Sequence, residues 1–217
     1  MAQLFSRRTS RALRVALLVL PISAGLLAAA IYFYVRSDQA WNVGVAAAQP
    51  IPFRHDLHAG DLDVDCRYCH SSVENAAVAG MPSAQTCLTC HSQIWNGLAT
   101  FEPLRTSLAL DVPLEWTSVH KLPAHAFFHH GIHVSKGVAC QTCHGRVDEM
   151  TETVKTQTLS MGWCLDCHRD PGPQLSAPNA IFAMGDEPQE ASLPDEILLE
   201  LHDVAVDNLT DCSTCHR

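Results

Sequence analysis

All ten cysteines of this 217-residue chain fall in five C-x-x-C pairs, and a histidine follows every pair at once. The units are Cys66/Cys69/His70, Cys87/Cys90/His91, Cys140/Cys143/His144, Cys164/Cys167/His168 and Cys212/Cys215/His216. No other feature limits the possible folds as much. C-x-x-C-H is the attachment signature of a c-type haem. Two thiols one helical turn apart can reach the two vinyl groups of one porphyrin, and the next residue places an imidazole under the iron. Other readings of paired cysteines compete. A disulfide framework uses even cysteine counts, but gives no reason for a histidine after each pair. Structural zinc takes four ligands, commonly from two paired knuckles, and five units leave one unpaired. A redox C-x-x-C would occur once, in a βαβ setting, and no such pattern is visible. Five repeats point instead to five covalently bound haem c groups, each with its iron.

Thirteen histidines leave eight beyond the motifs: His55, His58, His120, His125, His129, His130, His133 and His202. These are the candidates for the second axial position on each iron. Phe53-x-His55-x-x-His58 opens a unit running to Cys66 and Cys87, and Phe128-x-His130-x-x-His133 opens another running to Cys140 and Cys164. First histidine and first cysteine are 11 and 10 residues apart, and the paired motifs 21 and 24 apart, so the chain repeats a dihaem module. Histidines at i and i+3 lie side by side on one turn. They cannot approach one iron from opposite faces, so each H-x-x-H must serve two haems. His58 and His133 are expected to reach past the nearest haem in sequence and so bridge the modules. His55, His58, His130 and His133 supply four distal ligands on this view. His120 is favoured for the fifth, then His125, then His202. His129 reads as an exposed neighbour, since Arg54 takes its place in the first module. Met81 and Met161 could ligate iron in principle, but are expected in the core.

The first 36 residues carry five arginines and no acid, while the rest holds all 23 acidic residues and nine Lys/Arg, a net −14. A nucleic-acid binder would need a basic face, so that class is disfavoured. Val15 to Val35 is a charge-free run of 21 residues, enough as a helix to cross a hydrocarbon core of roughly 30 Å. Pro21 and Gly25 are tolerated in such a helix, and Tyr32, Phe33 and Tyr34 form an aromatic belt. Ala28-Ala29-Ala30 could be a signal-peptide cleavage site, but the run is longer than such segments usually are and continues past it. A retained anchor is the expectation. Arginines inside then give a single-pass protein of a bacterial cytoplasmic membrane, with the haem domain on the outer, periplasmic side.

The expected fold is mostly irregular with short α-helices, the haems acting as core, plus one N-terminal transmembrane helix. Its parts are a basic cytoplasmic N-terminus (1–14), the anchor (15–35), a linker (36–52), a first dihaem module (53–95), a connecting segment (96–119), a second dihaem module (120–170), a proline-rich linker (171–196) and the fifth haem site (197–217). Helical turns are predicted under each motif, a short amphipathic helix through Val147, Met150 and Val154 toward Met161, and irregular chain over 97–118. Five haems in about 150 residues leave too little chain for an ordinary core, so the apo-protein is not expected to fold. The fifth site should lie at one edge, unless residues 172–200 fold back as a lid.

The F-x-H-x-x-H…C-x-x-C-H grammar resembles the multihaem cytochrome c3/c7 class. His120-Lys-Leu-Pro-Ala-His125-Ala-Phe-Phe-His-His130-Gly-Ile-His133-Val, with Cys140-Gln-Thr-Cys-His-Gly, is similar to the pentahaem cytochrome subunit of alternative complex III. So are Met161-Gly-Trp-Cys-Leu-Asp-Cys-His-Arg169 and Asp211-Cys-Ser-Thr-Cys-His-Arg217. Ala124 and His129 stand where that resemblance leads one to expect Asp and Asn. The resemblance implies an electron-transfer subunit, not itself catalytic, of a quinol:electron-acceptor oxidoreductase. Its partners would be an iron–sulfur subunit, integral membrane quinol-binding subunits and a monohaem cytochrome c. A stand-alone multihaem quinol dehydrogenase and a multihaem reductase remain as alternatives. Pyridine haemochrome quantitation of the purified protein is expected to give five haems per chain, all resistant to acid–acetone extraction.

Overall fold

The computed structural model describes residues 4–185 and 193–216. It divides into two units, 1–42 and 43–217. In the first, helix α1 spans Arg7–Arg36, about 45 Å at 1.5 Å per residue. Ser6 caps it through Thr9 N, and Pro21 lies within it. Its most apolar window has a mean hydropathy of 2.3. The helix is long and apolar enough to span a membrane, a property that signal sequences share. Arg36 lies over the Tyr32 ring at 4.5 Å.

The second unit is assembled from short helices: α2 (Cys66–Cys69), α3 (Ala84–His91), α4 (Glu102–Leu110), α5 (His130–Ser135), α6 (Cys140–His144), α7 (Met161–Arg169), α8 (Asp195–Leu201) and α9 (Cys212–Cys215). Five of them, α2, α3, α6, α7 and α9, carry the C-x-x-C pairs, as predicted. The caps are local: Asp65 accepts from Arg67 N at the start of α2, and Ser160 from Trp163 N at the start of α7. Among the described residues there is no β-sheet, only isolated bridges such as Val43 with Lys155 and Val138 with Leu175.

Two local expectations are corrected. Residues 97–118 are not irregular throughout, because α4 lies within them. Pro103 sits in its first turn, where no amide partner is needed, and Asp111 ends it in the left-handed region at φ 53°. The predicted helix through Val147, Met150 and Val154 is absent: only a 3-10 turn, Val147–Glu149, forms. The following Thr151-Glu-Thr-Val stretch is rich in β-branched residues, which favour extended chain, and Lys155 pairs with Val43 instead. Met81 and Met161 are exposed rather than core.

Among the described residues the buried hydrophobic side chains are few: Ile51, Val73, Ala84, Leu104, Ala139, Leu175, Ile181 and Leu198. Ile51, Ala84 and Leu104 form one cluster, with Cys87, Phe101, Leu114 and Trp116 around it. It backs α3, and Trp116 Nε1–H donates to Pro82 O at 2.9 Å to close the same wall. The first part of the proline-rich stretch is packed rather than loose. Leu175 and Ile181 are buried, and Cys140 N–H donates to Ile181 O at 3.1 Å. The 3-10 turns Gly172–Gln174 and Pro178–Ala180 carry its course, while 186–192 lie outside the described residues. Leu104 is 1% exposed, so Leu104→Ala is expected to cost about 2–5 kcal/mol. A thermal melt of the holoprotein checks this, at about 2–4 °C per kcal/mol.

Candidate haem-binding site

The two F-x-H-x-x-H segments fold with nearly the same ring geometry. Phe53 meets His55 edge-on (4.8 Å, 85°) and stacks on His58 (4.4 Å, 27°). Phe128 meets His130 edge-on (4.8 Å, 87°) and lies over His133 (4.3 Å, 30°). The phenyl ring thus fixes both imidazoles and turns them to different planes. His58 lies in a π-helical turn, Asp56–Asp61, and His130 and His133 lie in α5.

Across from these rings stand the motif histidines. Two imidazoles on opposite faces of one iron have ring centres about 6 Å apart, given metal–nitrogen bonds of about 2 Å. His58 and His91 are 6.2 Å apart, His133 and His168 6.1 Å, His130 and His144 6.4 Å, and His125 and His216 5.7 Å. The last three pairs are near parallel, at 27°, 13° and 29°. His58 and His133 therefore face the second motif of their own module. The expectation that they bridge the modules is corrected: at i+3 on a single turn each reaches past the near motif, but only to the next one.

The hydrogen bonds select which nitrogen is left over. Nδ1 is engaged in His58 (Arg54 O, 2.8 Å), His70 (Gly80 O, 2.7 Å), His91 (Ile94 O, 3.3 Å) and His130 (Ala77 O, 2.8 Å). It is likewise engaged in His133 (His129 O, 2.9 Å), His168 (Leu209 O, 2.8 Å) and His216 (His125 O, 2.9 Å). Thr153 Oγ1 lies 2.9 Å from Nδ1 of His55. An Nδ1–H held by a carbonyl fixes the tautomer and leaves Nε2 as the donor to a metal. His202 is built the other way: its Nε2 bonds Ser176 O at 2.8 Å. His129 is half-buried rather than exposed, and its Nδ1 accepts from Ile132 N to cap α5.

His55, His70, His120, His130 and His144 share one neighbourhood. Burial first, then His120, His130, His70 and His55, pulls the His144 pKa down to about 3. Burial, then His70 and His58, takes His55 to about 4, and burial, then Lys155 and His130, takes His120 to about 4. Burial also lowers His133, against the opposing hydrogen bond to His129. Each of these shifts favours the neutral imidazole, the form that ligates a metal. His120 lies 4.3 Å from His144 at 69°, too close for an iron between the two rings. Its Nε2 is buried without a hydrogen-bond partner. His125, and not the favoured His120, is the ring brought to His216.

None of the ten cysteines is in a disulfide. The Cys140 thiol bonds Cys66, which lowers Cys66 to about 7 and raises Cys140. Burial, then Cys167 and Cys164, pushes Cys143 up to about 12. Among the described residues no three of His, Cys, Asp or Glu converge as a metal site. Paired imidazoles beside thiol pairs suit a metal held in a macrocycle, which takes only two protein ligands, and the orphaned Nε2 of His120 lies within that array. The residues present fit haem c. Sequence reasoning missed the second layer, namely Thr153 and the carbonyls of Gly80, Ala77 and Leu209. Only Phe53 and Phe128 carried a signal.

Fold and site resemble those of a multihaem c-type cytochrome, with thiol pairs and facing imidazoles suited to covalently bound haem c. Residues 126–217 match the family model for cytochrome c7 and related cytochrome c. The chain is also similar to the menaquinone reductase multihaem cytochrome c subunit of Nitratidesulfovibrio vulgaris. The two are 31% identical over 101 residues, which cover 44% of this chain and 45% of that relative. The chain thus spans a little under half the length of the curated relative it matches. His202→Ala is expected to keep every iron low-spin by EPR while lowering stability by about 1 kcal/mol. A new high-spin signal would make His202 a ligand.

Proposed function

We propose that this chain carries five haems with histidine on both axial positions and relays electrons inside a membrane-bound, quinol-oxidising complex similar to alternative complex III. The observation that carries this is the ring pairing: four motif histidines face a second imidazole at 5.7–6.4 Å. On this reading His58 serves the Cys87–Cys90 site, His130 the Cys140–Cys143 site, His133 the Cys164–Cys167 site and His125 the Cys212–Cys215 site. His55 is assigned to the Cys66–Cys69 site as the counterpart of His130, which faces the first motif of its own module. His120 is then a sixth imidazole, packed against His144 of the third site. Haem c held at these motifs would supply one-electron ferric/ferrous chemistry. The chain's own residues hold the imidazoles neutral, fix their tautomers and keep the sites adjacent.

A saturated ligand set favours relay over reduction chemistry, which needs one iron face open to substrate. The similarity to a menaquinone reductase subunit supports a quinone-linked complex, and α1 would anchor the domain on the outer face of the membrane. The proposed partners are an iron–sulfur subunit, integral quinol-binding subunits and a monohaem cytochrome c. Affinity purification of the tagged chain from native membranes, followed by mass spectrometry, is expected to recover all three with the N-terminus of this chain intact. Recovery of the chain alone would favour the stand-alone quinol dehydrogenase. A mature chain starting after residue 30 would make α1 a signal peptide.

A further inference from the structure

Contacts between the five attachment sites are not in sequence order. Tyr68, inside the first motif, bonds Thr89, inside the second, through Oη and Oγ1 at 2.6 Å. The first site meets the third by reciprocal backbone docking of the two modules. His130 N–H and Gly131 N–H donate to Ala77 O and Ala76 O, on the loop after the first motif. Asp56 N–H donates to Met150 O, on the loop after the third. Both dockings need a glycine: a Cβ on Gly131 would come within 2.7 Å of Glu74 O, and one on Gly60 would strike Asp148 O.

Helix α5 joins the third and fourth sites, since His130 faces His144 while His133 faces His168. The fourth reaches the fifth through His168, whose Nδ1–H donates to Leu209 O at 2.8 Å, three residues before Cys212. Exposure gives an independent indication. Cys90 and Cys212 are the two exposed cysteines, while the other eight are half-buried. His125, facing the fifth site, is exposed as well.

We infer that the five attachment sites form one open row in the spatial order second, first, third, fourth, fifth, with the Cys87–Cys90 and Cys212–Cys215 sites as its ends. This rests on the ligand assignment proposed above. The centre of the row is the docked pair of first and third sites, where the two modules meet, and the fifth site extends one arm. The ends are where partner proteins can come close to a haem edge, so a donor and an acceptor dock on opposite ends of the row.

The test uses the full-length holoprotein in detergent. His58→Gly, His133→Gly and His125→Gly each remove one distal imidazole and leave a high-spin ferric iron at the second, fourth and fifth sites. A fast-relaxing high-spin iron broadens the low-spin EPR signals of its immediate neighbours. One broadened neighbour is expected for His58→Gly, two for His133→Gly and one for His125→Gly. Added imidazole should return each variant to low spin, which separates ligand loss from misfolding. Two neighbours for either end, or one for the fourth site, overturns the order. A variant that stays fully low-spin overturns that histidine's ligand assignment instead. The order is then read from the iron positions in a cryo-EM map, and fails if the Cys66 and Cys140 irons are not adjacent.

Discussion

The arrangement depends on a small hydrogen bond repeated around the domain: an imidazole Nδ1–H held by a backbone carbonyl. It is made by His58, His70, His91, His130, His133, His168 and His216. Each such bond contributes only about 1 kcal/mol net, so its importance lies in geometry. A fixed tautomer and ring plane leave Nε2 pointing at one place. Once two rings opposite one another are fixed in this way, the spacing between them follows. The domain needs few buried apolar side chains of its own, because its defined positions are imidazoles and thiols on short, capped turns.

The second constraint is the reciprocal docking of the two modules. Each H-x-x-H segment lies on the loop that follows the other module's first motif, through Asp56 N to Met150 O and Gly131 N to Ala76 O. Ion pairs brace these loops: Arg146 bonds Asp148 at 2.7 Å, and Arg54 bonds Asp56 at 2.6 Å. Surface pairs of this kind contribute little energy, but they set the loop shapes on which the docking rests. An exchange of support between repeats explains why two modules with similar spacing form one compact unit rather than two beads.

Much of this was legible in the sequence. The motif helices, the placing of His130 and His133 opposite two different motifs and the N-terminal apolar helix all follow from spacing, because a thiol pair or a charge-free run has few physical alternatives. Helix α4 was not legible. Its nine residues bury one narrow face, Leu104 and Ser107, too short a stretch for periodicity to stand out. Val147, Met150 and Val154 misled for the opposite reason: their spacing is helical, but the β-branched residues around them stay extended. The choice of His125 over His120 was hidden as well. Both rings precede α5 in the same segment, and only the bridge between Ala126 and His216 and the Phe127 N–H to Cys215 O bond at 2.8 Å bring one of them to the fifth site. Backbone acceptors leave no trace in residue identity, because every residue supplies the same carbonyl.

His120 bears on whether the domain relays electrons or performs chemistry of its own. A reductase requires an iron face without a protein ligand, lined by groups that bind a small substrate. Around His144 the opposite holds: His120 and His130 both lie beside its ring, at 4.3 and 6.4 Å. His120 Nε2 is buried with no partner, and such a nitrogen costs about 1–3 kcal/mol unless something meets it. A sequence retaining that cost beside His144 places a spare donor where a substrate pocket would have to be. Crowding of that kind beside His144 supports the proposed relay over a reductase.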